Sequence, residues 1–356
     1  MPAPLEFVGA SGIVFREHRP RINGAKSQIL PVGTARQPKA FTRTATSVIM
    51  ATTYDPIRWV VDGYVPEGLS VLAGRQKLGK TWLAIDWALA VACGEYAMGA
   101  IKCERGDVLY IDMENGLRRI QRRIASTRPD YASMDLGRLD WVTDAVSLND
   151  GFIERLEHWR STADGPRLVV IDVLQRIKPA GNPARNMYEN DYSAWAPLQR
   201  WAMDHGIAVV GLHHTRKGGA DDPLEALSGS NGLSACADTT LVLNRDGNGT
   251  TLYVRGRDVD EKETALHFDA GLWSIKGDAQ KVRTSTERGR ILKALLESDE
   301  PMAPADLAGG IGMPTNNVKQ LLFKMAKVRE VTKVGRGRYM HPDNLDYQVT
   351  DAPGGP

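Results

Sequence analysis

Eight residues, Gly74-Arg75-Gln76-Lys77-Leu78-Gly79-Lys80-Thr81, have the spacing of a loop that wraps a polyphosphate. The pattern G-x-x-x-x-G-K-[ST] needs each fixed position. Gly74 and Gly79 let backbone N–H groups turn inward around a β-phosphate, and the following helix adds its dipole. Lys80 reaches β- and γ-oxygens, and Thr81 offers its hydroxyl to Mg²⁺. Gln76, Leu78 and Trp82 complete the expected nucleotide contacts; Trp82, on the first helical turn, is given no catalytic role. A glycine turn matching by chance would lack the flanks found here, an apolar run before and a helical stretch after.

Carboxylates follow at the ends of apolar runs. RLVVID ends in Asp172, the place from which a carboxylate holds Mg²⁺ beside Thr81. VLYIDMENG offers two candidates for orienting or deprotonating a water, Asp112 inside the run and Glu114 just beyond it. Glu114 is the favoured base and Asp112 the alternative. IAVVGLHHTRKGG puts His213, His214, Arg216 and Lys217 at one strand end, where a His can sense a γ-phosphate by hydrogen bonding. The histidine pair lacks i,i+4 spacing and a third ligand, so zinc is rejected. Arg255 and Arg257, in YVRGRDVD, are either structural ion-pair partners or fingers that reach a neighbour's nucleotide.

Gathering these side chains requires a sheet. Runs at 68–74, 107–113, 167–173, 207–213 and 239–245 are continuously apolar, as strands buried on both faces are. Helical spacing fills 80–93, 116–127 and 192–205. That order predicts an α/β fold whose mostly parallel sheet binds ligands beyond the carboxyl ends of its strands. Shorter strands at 251–257 and 265–269 finish it.

From near Glu287 the pattern changes to helix, short helix, longer helix, then strand, glycine turn and strand, the order of a winged helix-turn-helix. Positions 316–340 hold seven Lys/Arg against Glu330. Asn316, Asn317, Lys319 and Gln320 would open a recognition helix, with Lys333, Arg336 and Arg338 lining a wing. A protein-docking module is the other reading; the concentrated positive charge favours DNA. Residues 1–48, rich in proline with seven Lys/Arg against two acids, read as a disordered tail, or alternatively as a basic arm on nucleic acid. The expected organisation is tail 1–48, nucleotide-binding domain 49–283, winged helix 284–345 and tail 346–356.

Composition bounds the rest. At 42% hydrophobic and 25% charged, the 356-residue chain is neither collagenous, mainly disordered nor a disulfide scaffold. Forty-five Lys+Arg against 43 Asp+Glu leave +2, so only local patches can speak for nucleic acid. Cys93, Cys103 and Cys236 form no CxxC, which excludes a cysteine-based zinc site and argues against secretion. The longest apolar stretch, 82–93, is broken by Asp86 and too short for a bilayer, and MPAPLEF is no signal peptide. A cytoplasmic protein away from membranes is expected.

In this order the motifs GRQKLGKT (74–81), YIDMEN (110–115), VVIDVL (169–174), LHHTRK (212–217), SGSNGLSACADTTLVLNR (228–245) and VRGRD (254–258) resemble the RecA-like P-loop ATPases of the plasmid RepA replicative helicase family, AAA-type proteins related to hexameric helicases. The resemblance implies ATP hydrolysis with Mg²⁺, coupled to single-stranded DNA in a homo-oligomeric, hexameric ring. It puts the catalytic glutamate on Glu114, the γ-phosphate sensor on His214 and the trans-acting basic pair on Arg255 and Arg257. The middle of the loop departs from the family's small residues and makes its rim basic. The expected function is an ATP-driven DNA motor of replicative-helicase type. The alternatives are a recombinase or mediator forming filaments on single strands, and an ATP-switched DNA-binding regulator.

Overall fold

A computed structural model describes residues 41–215, 231–247 and 249–344, with three strands nearer the N-terminus. The chain divides into two compact units, 1–56 and 57–356. In the first, β1 (Glu6–Val8), β2 (Ile13–His18) and β3 (Gln28–Thr34) form an antiparallel sheet, followed by α1 (Thr46–Ala51). The reading of 1–48 as a disordered tail does not anticipate these strands. Ile13, Val14, Phe15, Ile29 and Val32 are of types that favour extended backbone.

The second unit begins with a hairpin of β4 (Trp59–Val61) and β5 (Val65–Pro66). Next come β6 (Gly68–Gly74), α2 (Lys80–Cys93), the short pair β7 (Tyr96–Ala97) and β8 (Ile101–Lys102), β9 (Asp107–Asp112) and α3 (Leu117–Thr127). Then follow β10 (Leu139–Val142), α4 (Phe152–Thr162), β11 (Pro166–Asp172), α5 (Met187–His205) and β12 (Ala208–His214). After α6 (Asn231–Cys236), four strands run consecutively: β13 (Thr239–Asp246), β14 (Gly249–Gly256), β15 (Lys262–Asp269) and β16 (Leu272–Asp278).

Nine of these described strands make one sheet, ordered β10-β9-β11-β12-β6-β13-β14-β15-β16. It is parallel from β10 to β13 and antiparallel beyond. The expected α/β core with a mostly parallel sheet is therefore what forms. Register aligns the strand ends that matter: Asp172 lies level with Asp112, and His214 and Leu243 flank Gly74.

α2 is apolar on every side and buried along most of its length, as a helix covered from all directions must be. Its Leu83, Trp87 and Leu89 pack with Leu72, Tyr110, Val170 and Leu212 on one sheet face. The other face carries Leu69, Val71, Val209 and Ile171 against Trp195, Leu198 and Trp201 of α5. The split between Leu72 and its neighbours Leu69 and Val71 is the two-residue alternation of a strand whose faces are both dry.

Three more helices, α7 (Ala279–Leu296), α8 (Pro304–Ile311) and α9 (Thr315–Lys327), precede a hairpin of β17 (Thr332–Gly335) and β18 (Arg338–Met340). They share a core of Ile291, Leu295, Leu307, Val318, Leu322, Met325, Val331 and Tyr339. α7 starts at Ala279, directly after β16, rather than near Glu287. α9 buries Val318, Leu321, Leu322 and Met325 at helical spacing and exposes Asn316, Asn317, Lys319, Gln320, Phe323, Lys324 and Lys327. Lys333, Arg336 and Arg338 of the hairpin are exposed as well. The tail expected at 346–356 lies outside the described residues, as do Arg216, Lys217 and the stretch to 230. Among the described residues no helix is long and apolar enough to cross a membrane.

Candidate nucleotide site

Where β6, β9, β11 and β12 end, a cavity of about 740 Å³ opens over the start of α2. Gln76, Leu78, Gly79, Lys80, Thr81 and Trp82 line it from the loop, and Glu114 and His214 from the strand ends. Gly74 is needed for close approach: a Cβ there would come 2.6 Å from the Leu243 carbonyl oxygen.

The Lys80 ammonium is held by three acceptors. It donates to the carbonyls of Gly74 (2.7 Å) and Arg75 (2.9 Å), and His214 Nδ1 lies 3.0 Å away. Burial pushes its pKa down to about 8, against the pull of Asp172 and Glu114. His214 is pushed down too, by burial first and by Lys80 second, while Glu114 acts against this. Its Nε2 is 3.7 Å from Glu114 Oε1, an ion-pair distance too long for a good hydrogen bond. Lys80, His214 and Glu114 thus form a row across the pocket floor. His213, one residue earlier, is pushed to about 4 by burial and stays neutral.

Asp172 is buried at the end of β11 and accepts hydrogen bonds from Thr81 and, at 3.4 Å, from the Tyr110 hydroxyl. Burial, then the neighbouring Asp112 carboxylate, raises it to about 6; Glu114 adds to this, and Thr81 and Arg123 oppose it. A hydroxyl beside crowded carboxylate oxygens is a donor set that suits a hard divalent cation such as Mg²⁺.

The two candidates for the base are in different circumstances. Asp112 is fully buried, and its Oδ1 accepts from the amides of Glu114 (3.0 Å) and Asn115 (2.8 Å). The Asn115 side-chain amide donates to both its oxygens at 2.9 Å. Asp112 is therefore occupied in fixing the turn after β9. Glu114, thrown outward by that turn, faces the cavity with 42% of its side chain exposed.

Several lining residues escaped the sequence reading. Arg119 and Arg123, one turn apart on α3, line the cavity with Arg176, Arg245 and Phe268. Arg123 lies over the Trp82 ring at 5.6 Å, and its buried Nη1 has no hydrogen-bond partner among the described residues. The i,i+4 spacing of Arg119 and Arg123, just after Glu114, was the available signal.

Arg255 and Arg257 are not in this cavity. They flank a second, smaller one at the other end of β13, where Thr240 pairs with Arg255 and Arg257 N–H reaches the Asp238 carbonyl. Register puts that end level with the start of β6, on the order of 15 Å along the strands from the phosphate loop. Arg257 binds the buried Asp238 carboxylate at 2.9 Å, which also accepts from the Leu69 amide and the Gln199 side chain. Arg255 pairs loosely with Glu261, at 3.9 Å, and also meets the Tyr253 hydroxyl.

A family model described as AAA domain matches residues 35–220, which span the phosphate loop, Glu114, Asp172 and His214. The chain belongs to the AAA domain family. The matched span holds the loop, Glu114 and His214 of the cavity just described; Arg255, Arg257 and the C-terminal helices lie beyond it. Solved structures give distant likenesses. One, described as an ATPase domain, is 19% identical, with a TM-score of 0.47 over 58% of this chain and 84% of that one. A DnaB-like replicative helicase, described with its interactions with primase, is also 19% identical, at 0.47 over 59% and 58%. A KaiC-like protein from the hyperthermophilic archaeon Pyrococcus horikoshii OT3 is 17% identical, at 0.41 over 62% and 99%. At such distance shared architecture does not carry shared function.

Proposed function

We propose that this AAA domain protein is an ATP-driven DNA motor of replicative-helicase type, resembling the plasmid RepA family, and that it works as a homo-oligomeric ring. The observation that carries the ATPase part is the convergence of Lys80, Thr81, Glu114 and His214 on one cavity, with buried Asp172 bound to Thr81 beside it. Lys80 and the amides at the start of α2 hold the polyphosphate, and Arg123, a cation with an unpartnered nitrogen, adds charge from α3. Thr81 and Asp172 would hold Mg²⁺, which neutralises phosphate charge. Glu114 orients and deprotonates the attacking water, and His214 connects it to Lys80. Arg255 and Arg257 lie too far from their own chain's loop to serve it, so any action of theirs on nucleotide is on a neighbour's, as the RepA resemblance implies.

The DNA part rests on the C-terminal region, which we read as a winged helix. α9 and the hairpin expose Lys319, Lys324, Lys327, Lys333 and Arg336 on a surface suited to a phosphate backbone. Exposed Phe323, Val328 and Val334 on the same elements favour a protein partner as a second reading. The deciding experiment measures ATP hydrolysis and strand separation with wild type and Lys80→Ala. The motor reading requires that both activities exist and that Lys80→Ala loses both; ATP turnover without unwinding would leave a DNA-binding ATPase.

A further inference from the structure

The last strand of the sheet reaches the phosphate loop. β16 lies four positions from β6 in the sheet, yet α2 packs against it and Trp273 is 1% exposed. The Trp273 indole N–H donates to the Gly79 carbonyl oxygen at 3.1 Å. The same oxygen accepts the Leu83 amide at 3.1 Å, the first helical bond of α2. Gly79 has φ 103°, and a Cβ there would come 2.7 Å from Trp273 Cζ2. The ring therefore lies directly on the glycine that opens the helix.

That carbonyl belongs to the same planar peptide as the Lys80 N–H. Holding the oxygen fixes where the N–H points, and N–H groups at a helix start are the ones that meet an anion. The ring is itself packed into an aromatic cluster. Phe268 tilts against it at 4.7 Å, and Trp82 meets Phe268 edge-on at 6.2 Å. At the β15–β16 turn a Cβ on Gly271 would come 2.6 Å from Trp82, and Ser126 donates to the Ala270 carbonyl at 3.1 Å. At its other end β16 passes into α7, whose first turn is capped by Asp278 accepting from the Lys281 amide.

We propose that Trp273 is a positioning residue of the phosphate loop: its indole N–H sets the Gly79–Lys80 peptide and thereby the amides that receive the polyphosphate. This rests on reading the cavity as an ATP site. A side chain that only filled the core would affect stability and leave nucleotide binding alone.

The test uses the full chain with Trp273→Phe, and with benzothienylalanine at position 273, which keeps the shape of the indole but has no N–H. ATP and ADP affinity are measured by calorimetry, kcat and KM in steady state, and Tm separately. Loss of one neutral hydrogen bond predicts Kd and KM raised about 2- to 10-fold, with kcat little changed. A lower Tm with wild-type Kd and KM overturns the proposal, as does wild-type affinity in the benzothienylalanine protein. Should Trp273→Phe fail to fold, the isosteric replacement decides alone. Lys80→Ala, run in parallel, separates the two levels: if wild type and Lys80→Ala bind nucleotide equally poorly, the ATP reading itself fails.

Discussion

Glu114 and Asp112 are two residues apart, and neutralising each should give opposite results. Glu114→Gln removes a charge from a half-exposed side chain whose nearest partner, His214 Nε2, is 3.7 Å away. Stability should change by less than about 0.5 kcal/mol, the usual range for surface substitutions. ATP affinity should persist, because Lys80 and the loop are untouched. Turnover should fall about 10²- to 10⁴-fold, the range for removing a positioned base. Asp112→Asn replaces a carboxylate that accepts four hydrogen bonds, and sets one new amide donor against the donor of Asn115. That should destabilise by about 1–3 kcal/mol, with the turn after β9 loosened and turnover reduced only as far as Glu114 is misplaced. The assay pairs Tm with nucleotide Kd and single-turnover hydrolysis. If Asp112→Asn abolishes hydrolysis at unchanged Tm and Kd, while Glu114→Gln hydrolyses normally, the assignment is reversed.

Three further outcomes are expected. Arg255→Ala and Arg257→Ala should each cut turnover ~10³-fold while ATP still binds, and Arg257→Ala alone should also lower Tm, because it strips an ion-pair partner from buried Asp238. Mixing either with Lys80→Ala should restore some activity; a mixture that stays dead although mixed oligomers form would exclude action across an interface. Asp86, buried on α2 and accepting the Met98 amide at 2.7 Å, is raised by burial from 3.8 to about 6. Its protonated form therefore contributes stability that is full below about pH 4 and lost as pH rises through 6. Asp86→Asn should gain on wild type across that window by something on the order of 3 kcal/mol, and parallel Tm–pH curves for the two proteins would contradict the assignment. Replacing Lys324, Lys327 and Lys333 together by alanine should weaken duplex binding and flatten the slope of log K against log salt by about 0.9 per lost phosphate contact. An unchanged slope would favour the protein-docking reading.

What the sequence made legible follows from how local each signal is. The central strands were readable because burial on both faces demands unbroken apolar runs. The phosphate loop was readable because its glycines and Lys80 sit at fixed spacing within one turn of chain. The last strand, β16, was not. β16 alternates buried Trp273 with exposed neighbours over few residues, and nothing in its own sequence says that it curls back over α2.

The same limit explains the site. Asp172 and His214 close recognisable apolar runs, and Lys80 and Glu114 follow such runs within a few residues, so strand register brings them near one another. The choice between Asp112 and Glu114 rested on less. The position of Glu114 just beyond the run already favoured it over Asp112, and the structure adds Asn115, which engages Asp112 beside a turn that leaves Glu114 facing the cavity. Trp273 lies further still from local pattern, 194 residues from the carbonyl it holds. Local spacing could name the groups proposed to meet phosphate. The groups that hold them in place depend on how distant strands pack, and only the fold reveals those.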